Sequence, residues 1–311
     1  MNILVTGASG LIGRALVPHL EKSGHTVIAA VRRAPRSAAE RQWDPAAGTL
    51  SDGFFDGIDA VVHLAGAGIG DKRWTDAYKR EILESRTKST TLLAESMAAL
   101  TVKPTVFLSG SAIGIYGPRD GEPLSETSSH GQGFLADVCE QWEASTAAAE
   151  AAGIRTVHLR TGIVLSKDGG ALKKQLPLFA LGLGGRFGNG RQWQSWISID
   201  DEIGAITHLL TSATSGPVNL TAPVAVTNAD FTKTLASVMK RPSLVPIPSF
   251  GPALLLGKEL ADALLFTGQN VVPTALQHSG YVFRHSSLRS EDTRLNSSHG
   301  YISYAVFCLK K

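Results

Sequence analysis

The sequence predicts an α/β fold: a doubly wound parallel sheet with a small C-terminal α/β lobe. Three observations carry that expectation. Short apolar runs of β type alternate with stretches of helical spacing through the first half of the chain. A glycine-rich turn joins the first run to the first helix. After Val164 the texture changes to Gly182, Gly184, Gly185, Gly188 and Gly190, then to a segment punctuated by Pro242, Pro246 and Pro248. Strands that alternate with helices form parallel sheets covered on both faces.

In chain order, strands are expected at 2–6, 26–31, 60–64, 105–109 and 156–159. Helices are expected at 11–23, 76–99 and 136–152, the second turning Ile82, Leu92, Leu93 and Met97 toward a core. Beyond the glycine loop come a strand at 196–199, a helix at 201–210, a strand at 218–220 and helices at 230–239 and 252–266. The chain then divides into a larger domain, 1–165 plus about 197–222, and a smaller lobe, 166–196 with 223–288.

The 311 residues suit two domains, at about 150 residues each. With 43% hydrophobic and 18% charged residues, a disordered chain is excluded. Thirty basic residues against 27 acidic ones give a net charge of +3, with no basic stripe, so no nucleic-acid partner is expected. Cys139 and Cys308 make neither a disulfide framework nor a metal knuckle, and no histidine belongs to a metal set. No stretch of 18 apolar residues occurs, so no membrane partner is expected. Strand-like sequence from Asn2 leaves no room for a signal peptide, and the expected location is cytoplasmic.

Gly7, Gly10 and Gly13 follow a strand and open a helix. The first glycine allows the tight turn, the second close approach of a pyrophosphate, and the third close packing of helix on strand. Free N–H groups at the helix start then face the phosphates. The cofactor candidates here are Thr6, Gly7, Ser9, Gly10, Leu11, Ile12 and Gly13. The plain alternative is a glycine turn without a ligand. The second strand selects the dinucleotide. It ends in Arg32 and Arg33, with no acid placed for a ribose 2′-hydroxyl. Guanidinium groups suit a 2′-phosphate, so NADP(H) is expected over NAD(H). The competing reading is a solvated loop. Leu64, Ala65 and Gly66 end the 60–64 strand and Ser109 ends the next, where strand ends line a ligand crevice.

These residues resemble the short-chain dehydrogenase/reductase superfamily, in its extended, NAD-dependent epimerase/dehydratase-like branch. The carriers are the 6–13 loop, Asp59-Ala-Val-Val-His-Leu-Ala-Gly66 and Arg160-Thr-Gly-Ile-Val-Leu165. Narrower likeness to the proteins called "epimerase family protein" rests on Trp43-Asp-Pro45, Arg73-Trp74, Glu84-Ser-Arg86, Ser111-Ala-Ile-Gly-Ile-Tyr-Gly117, Trp142-Glu143, Gly182-Leu-Gly-Gly185 and the 193–201 stretch. The resemblance covers about 1–288. It implies a Rossmann domain, an oxidoreductase or epimerase acting on a small molecule, Arg160 at the cofactor, and pairing of two copies into a homodimer.

The superfamily's usual proton relay, Tyr-x-x-x-Lys, is missing. The residues four after Tyr78, Tyr116, Tyr281, Tyr301 and Tyr304 are Ile82, Asp120, His285, Ala305 and Cys308. Alignment on Trp142-Glu143 puts Phe134 or Leu135 in place of the tyrosine and Cys139 in place of the lysine. Ser111, Tyr116 and Glu143 are the candidate catalytic groups, each against a plain alternative of turn, loop packing or solvated helix face. Arg86 is a substrate candidate, with a cofactor phosphate or a neighbouring acid as its other partners. Arg186, Trp193 and Trp196, with Arg191, make the 182–196 loop the substrate candidate; against it stands a surface connector with one tryptophan plugging the core. Three functions remain open: an NADP(H)-dependent oxidoreductase or epimerase-like enzyme, a catalytically silent NADP(H)-sensing regulator, and a nucleotide-sugar epimerase or dehydratase. Residues 289–311 turn polar and then β-prone, and read as a non-native tail.

Overall fold

Eight strands build one sheet: β1 (Asn2–Thr6), β2 (Thr26–Val31), β3 (Glu40–Asp44), β4 (Thr49–Leu50), β5 (Ala60–His63), β6 (Val106–Ala112), β7 (Arg155–Thr161) and β8 (Gly216–Leu220). The computed structural model describes residues 1–243 and 245–288. The strand order is β8-β7-β6-β5-β1-β2-β3-β4. β1 runs parallel to β2 and to β5, so Leu4 lies between Ile28 and Val61. β2–β3 and β5–β6 are also parallel, and β3–β4 is antiparallel. The order turns back on itself at β1, between β2 and β5. Ligands of doubly wound sheets bind beyond the strand ends at that point.

The chain divides into two compact units. The first comprises Met1–Ile115, Gly133–Arg160 and Ile203–Val218; the second comprises Tyr116–Gln132, Thr161–Glu202 and the chain from Asn219 on. In the first, α1 (Leu11–Lys22), α2 (Asp76–Ala98), α3 (Phe134–Ala144) and α4 (Ala147–Ala151) flank the strands. Thr75 caps α2 by accepting the Tyr78 N–H. Leu93, Ala94 and Met97 of α2 pack with Leu4, Val61 and Phe107. The single helix expected at 136–152 breaks in two. At the break Thr146 Oγ1 donates to the Glu143 carbonyl, an internal bond that competes with the helix ladder.

In the second unit, α5 (Gly170–Ala180), the start of α6 (Ile199–Thr211) and α7 (Asn228–Met239) accompany a parallel pair of short strands that sets Trp196 opposite Ile163. Leu172 and Phe179 of α5 and Phe231 and Leu235 of α7 pack around Trp196. The helix expected at 252–266 is also broken. α8 (Phe250–Leu256) stops at Gly257, whose φ of +88° no helix tolerates, and a short helix and a wide turn follow. The short strands at 163–165, 193–194 and 226–227 have no counterpart in the sequence reading, because two or three residues carry no periodicity.

Candidate dinucleotide site

The glycine loop is enforced by contact. Gly7 has a φ of +66°, and a Cβ there would lie 2.7 Å from the Leu64 carbonyl carbon. A Cβ on Gly13 would lie 2.3 Å from the Gly7 oxygen. The loop therefore rests directly on the end of β5, and α1 rests directly on the loop. Helix α1 begins at Gly10 with no side-chain cap and no acid in its first turn. Its first N–H groups and the positive end of its dipole remain for an anion.

Thr6 fastens this arrangement from below. Its hydroxyl oxygen accepts the N–H groups of Leu64 (3.1 Å) and Ala65 (3.2 Å) and donates its hydrogen to His63 Nδ1 at 2.6 Å. The His63 proton is thereby assigned to Nε2, 3.1 Å from Ser89 Oγ, and Ser89 donates to the Ser85 carbonyl. Burial, with the Arg86 charge adding to it, lowers the His63 imidazole to about 3, so the ring stays neutral. Thr6 and Ser109 are fully buried and belong to the floor of the site. Ser9, Gly10 and Gly66 are exposed.

At the end of β2 the two arginines differ. Arg33 forks onto both Glu40 carboxylate oxygens, and this bond lowers the Glu40 carboxyl to about 2. β2–β3 pairing brings the acid there, which the sequence reading missed. Arg32 is exposed, and no carboxylate pairs with it among the described residues. Arg86 lies over Gly66, where a Cβ would sit 3.3 Å from its Cγ and Cζ. Its guanidinium stacks on Trp142 at 5.0 Å and gives one N–H to the Ile82 carbonyl of its own helix. No acid pairs with Arg86 among the described residues, which leaves N–H donors for a ligand anion.

The candidate catalytic groups are engaged inside the protein. Ser111 Oγ donates to Glu143 Oε1 at 2.6 Å. Arg160 holds the same carboxylate with two bonds, Nε to Oε1 at 2.8 Å and Nη2 to Oε2 at 2.9 Å. Burial would raise the Glu143 carboxyl, but the Arg160 and Ser111 bonds outweigh it and hold the group below its ordinary value. Arg160 is thus committed to α3. Tyr116, in the second unit, is fully buried and donates to Asn219 Oδ1 at 2.7 Å. Leu135 and Cys139 lie against Gly114, where a Cβ would be 3.4 Å from Leu135 Cβ and 3.7 Å from Cys139 Sγ. Phe134 packs on Trp74 instead. Burial pushes the Cys139 thiol up to about 12. Leu135 carries no proton to transfer, and Cys139 holds its own.

In the second unit, Trp196 is a core residue whose indole N–H donates to the Val224 carbonyl. Trp193 is half-buried, with its ring beside Gly121, and Arg186 and Arg191 are exposed. Two features escaped the sequence reading. Asp201 accepts the backbone N–H groups of Arg284 and His285 and the Ser198 hydroxyl. Glu202 is fully buried; Thr161 donates to one oxygen, and the other has no partner among the described residues. The run Asp200-Asp201-Glu202 at a helix start was the available signal. Among the described residues no three side chains gather as a metal site, and no helix is long and apolar enough to cross a membrane.

A glycine loop on β1, a switch in strand order beside it and a free arginine after β2 define a dinucleotide-binding doubly wound protein. The chain belongs to the NAD dependent epimerase/dehydratase family, whose model matches residues 3–222; a domain of unknown function, DUF1731, matches 247–290. An epimerase family protein of Mycobacterium leprae is 39% identical over 287 residues, 92% of either chain. The crystal structure of human epimerase family protein SDR39U1 with NADPH is 33% identical, with a TM-score of 0.84 over 93% of this chain and 96% of that one. A nucleoside-diphosphate sugar epimerase from Corynebacterium glutamicum is 38% identical, with a TM-score of 0.76 over 93% of this chain and 56% of that one.

Proposed function

We propose that this protein is an NADP(H)-dependent oxidoreductase or epimerase-like enzyme acting on a small molecule. The observation that carries the cofactor choice is Arg32, exposed where β2 ends and without an acidic partner among the described residues. A guanidinium there attracts a 2′-phosphate and has nothing to offer a plain ribose hydroxyl pair that an acid would not do better. The relative crystallised with NADPH supports the same choice. Arg86, over Gly66 and beside the loop, would take a cofactor phosphate or an anionic group of the substrate. The bound cofactor would supply the hydride chemistry, and this chain would orient it and shield it from water.

Titration of NADPH and NADH tests the reading. NADPH should bind at least tenfold more tightly, and Arg32→Ala should remove about 1.4 kcal/mol of that preference while leaving NADH unchanged. Equal affinity for both would overturn it.

One observation favours a second reading, a silent NADP(H) sensor. Ser111, Tyr116 and Glu143 all spend their polar atoms on internal partners. Absorbance of the nicotinamide band across carbonyl and sugar-nucleotide substrates separates the two. Consumption of NADPH supports the enzyme; tight binding without consumption supports the sensor.

A further inference from the structure

We infer that the second unit carries a face that docks on an anionic lipid surface. Seven of the eleven large hydrophobic side chains that stand exposed among the described residues fall in two short segments, 178–183 and 245–255. Leu181 is 73% exposed, Leu183 66%, Val245 76% and Phe250 75%. An apolar cluster of this kind on an otherwise polar surface marks an interaction site.

The two segments are one surface. A Cβ on Gly182 would lie 3.8 Å from Pro242, and one on Gly185 would run into the Val245 carbonyl. The Ile247 N–H donates to the Arg186 carbonyl at 2.8 Å, and the Gly188 N–H donates to the Ile247 carbonyl at 3.0 Å. So 181–188 and 242–247 lie side by side. Helix α5 adds its outer face. Leu172 and Phe179 point inward, and Lys174, Leu178 and Leu181 recur at helical spacing on the exposed side.

Charge identifies the occupant. Residues 166–191 and 233–262 hold nine lysines and arginines against three acids, Asp168, Glu259 and Asp262, the last paired with Lys258, so the excess is six positive charges. Lys173, Lys174, Lys240 and Arg241 are exposed, and Arg241 directly precedes the proline that meets Gly182. A second copy would present the same positive excess to itself across a two-fold interface and be repelled. Apolar side chains rimmed by cations fit the boundary of an anionic bilayer, where each basic group near the surface adds to binding. With no membrane-spanning helix among the described residues, this would be surface attachment.

Flotation of the full chain with vesicles tests the inference. Phosphatidylcholine vesicles carrying about one-third phosphatidylglycerol should bind at least tenfold more protein than phosphatidylcholine alone, and high salt should remove the difference. Leu181→Ser with Phe250→Ser should lower binding to the anionic vesicles about tenfold, with melting temperature and NADPH affinity unchanged. Lys240→Glu with Arg241→Glu, which leaves the apolar face intact, should abolish the anionic preference. Absence of binding, equal binding to both vesicles, or a concentration-dependent dimer that the serine variant abolishes would overturn it.

Discussion

Two carboxylates, Glu143 in the first unit and Glu202 in the second, sit in opposite environments. In the first, Glu143 is held by Arg160 and Ser111, and His63 sits neutral between Thr6 and Ser89. Both Glu143 oxygens and both His63 ring nitrogens have hydrogen-bond partners. In the second, Glu202 is fully buried, and one of its oxygens has no partner among the described residues. The first unit is built to hold a fixed backbone cradle. The second keeps an uncompensated acid at the start of α6, and perturbed groups of that kind gather where chemistry happens.

The largest expected effect breaks the satisfied side of this contrast. Glu143→Ala would strand the Arg160 guanidinium, itself buried, without a counter-ion. Removing one partner of a buried pair costs about 3–5 kcal/mol. A loss that size in urea unfolding is expected, with cofactor affinity falling only as folded protein is lost. A variant that melts normally but is inactive would make Glu143 catalytic instead of structural.

Next comes the unsatisfied side. Burial raises the Glu202 carboxyl from 4.5 to about 8, against a smaller opposite effect of the Thr161 bond. Between those values the unfolded chain has lost the proton and the folded chain keeps it. Stability therefore falls as pH rises through that window, by up to about 1.4 kcal/mol per unit, and levels off above 8. Glu202→Gln should flatten this slope, so its melting temperature should overtake that of the natural chain between pH 5 and pH 8. Parallel melting curves for the two proteins would show that Glu202 is ionised and partnered in solution.

How much the sequence disclosed follows the same division. Gly7, Gly10 and Gly13 span seven residues, and Gly10 and Gly13 meet the backbone of that same loop, so the motif is local and readable. The strand at 60–63 is readable in the same way, one residue short of the expected end, whereas the next runs to Ala112, three residues past the expected end at 109. Glu143 and Arg160 are 17 residues apart and Tyr116 and Asn219 are 103 apart. Nothing in composition or spacing says that those groups consume each other. Arg33 looked free for a phosphate until β3 carried Glu40 to it. Trp196 looked like a ligand platform and is a core plug. Backbone sites are written in short motifs; side-chain sites depend on which distant partner arrives.

Gly13→Ala sharpens that point with a smaller effect. The new methyl would meet the Gly7 oxygen and the Ala8 backbone, neither of which can swing away. About 1–3 kcal/mol of overpacking is expected. Because the strain falls on the cradle itself, NADPH affinity should drop at least tenfold even where the melting curve shows the protein folded. Unchanged affinity would mean that the loop does not hold the pyrophosphate.

The smallest expected effect lies at the chain's end. Leu288 is buried and packs with Trp196 and Leu172, and the DUF1731 match stops at 290. Residues 289–311, which lie outside the described residues, hold four basic and two acidic side chains, so ending the chain at Leu288 takes its net charge from +3 to +1. The glycine loop, Arg32 and Arg86 are all in the first unit, far from that end in sequence. Removal of the last 23 residues should leave NADPH affinity and the yield of folded protein unchanged. A large fall in folded protein would show that the segment beyond Leu288 supports the second unit's core and belongs to the protein.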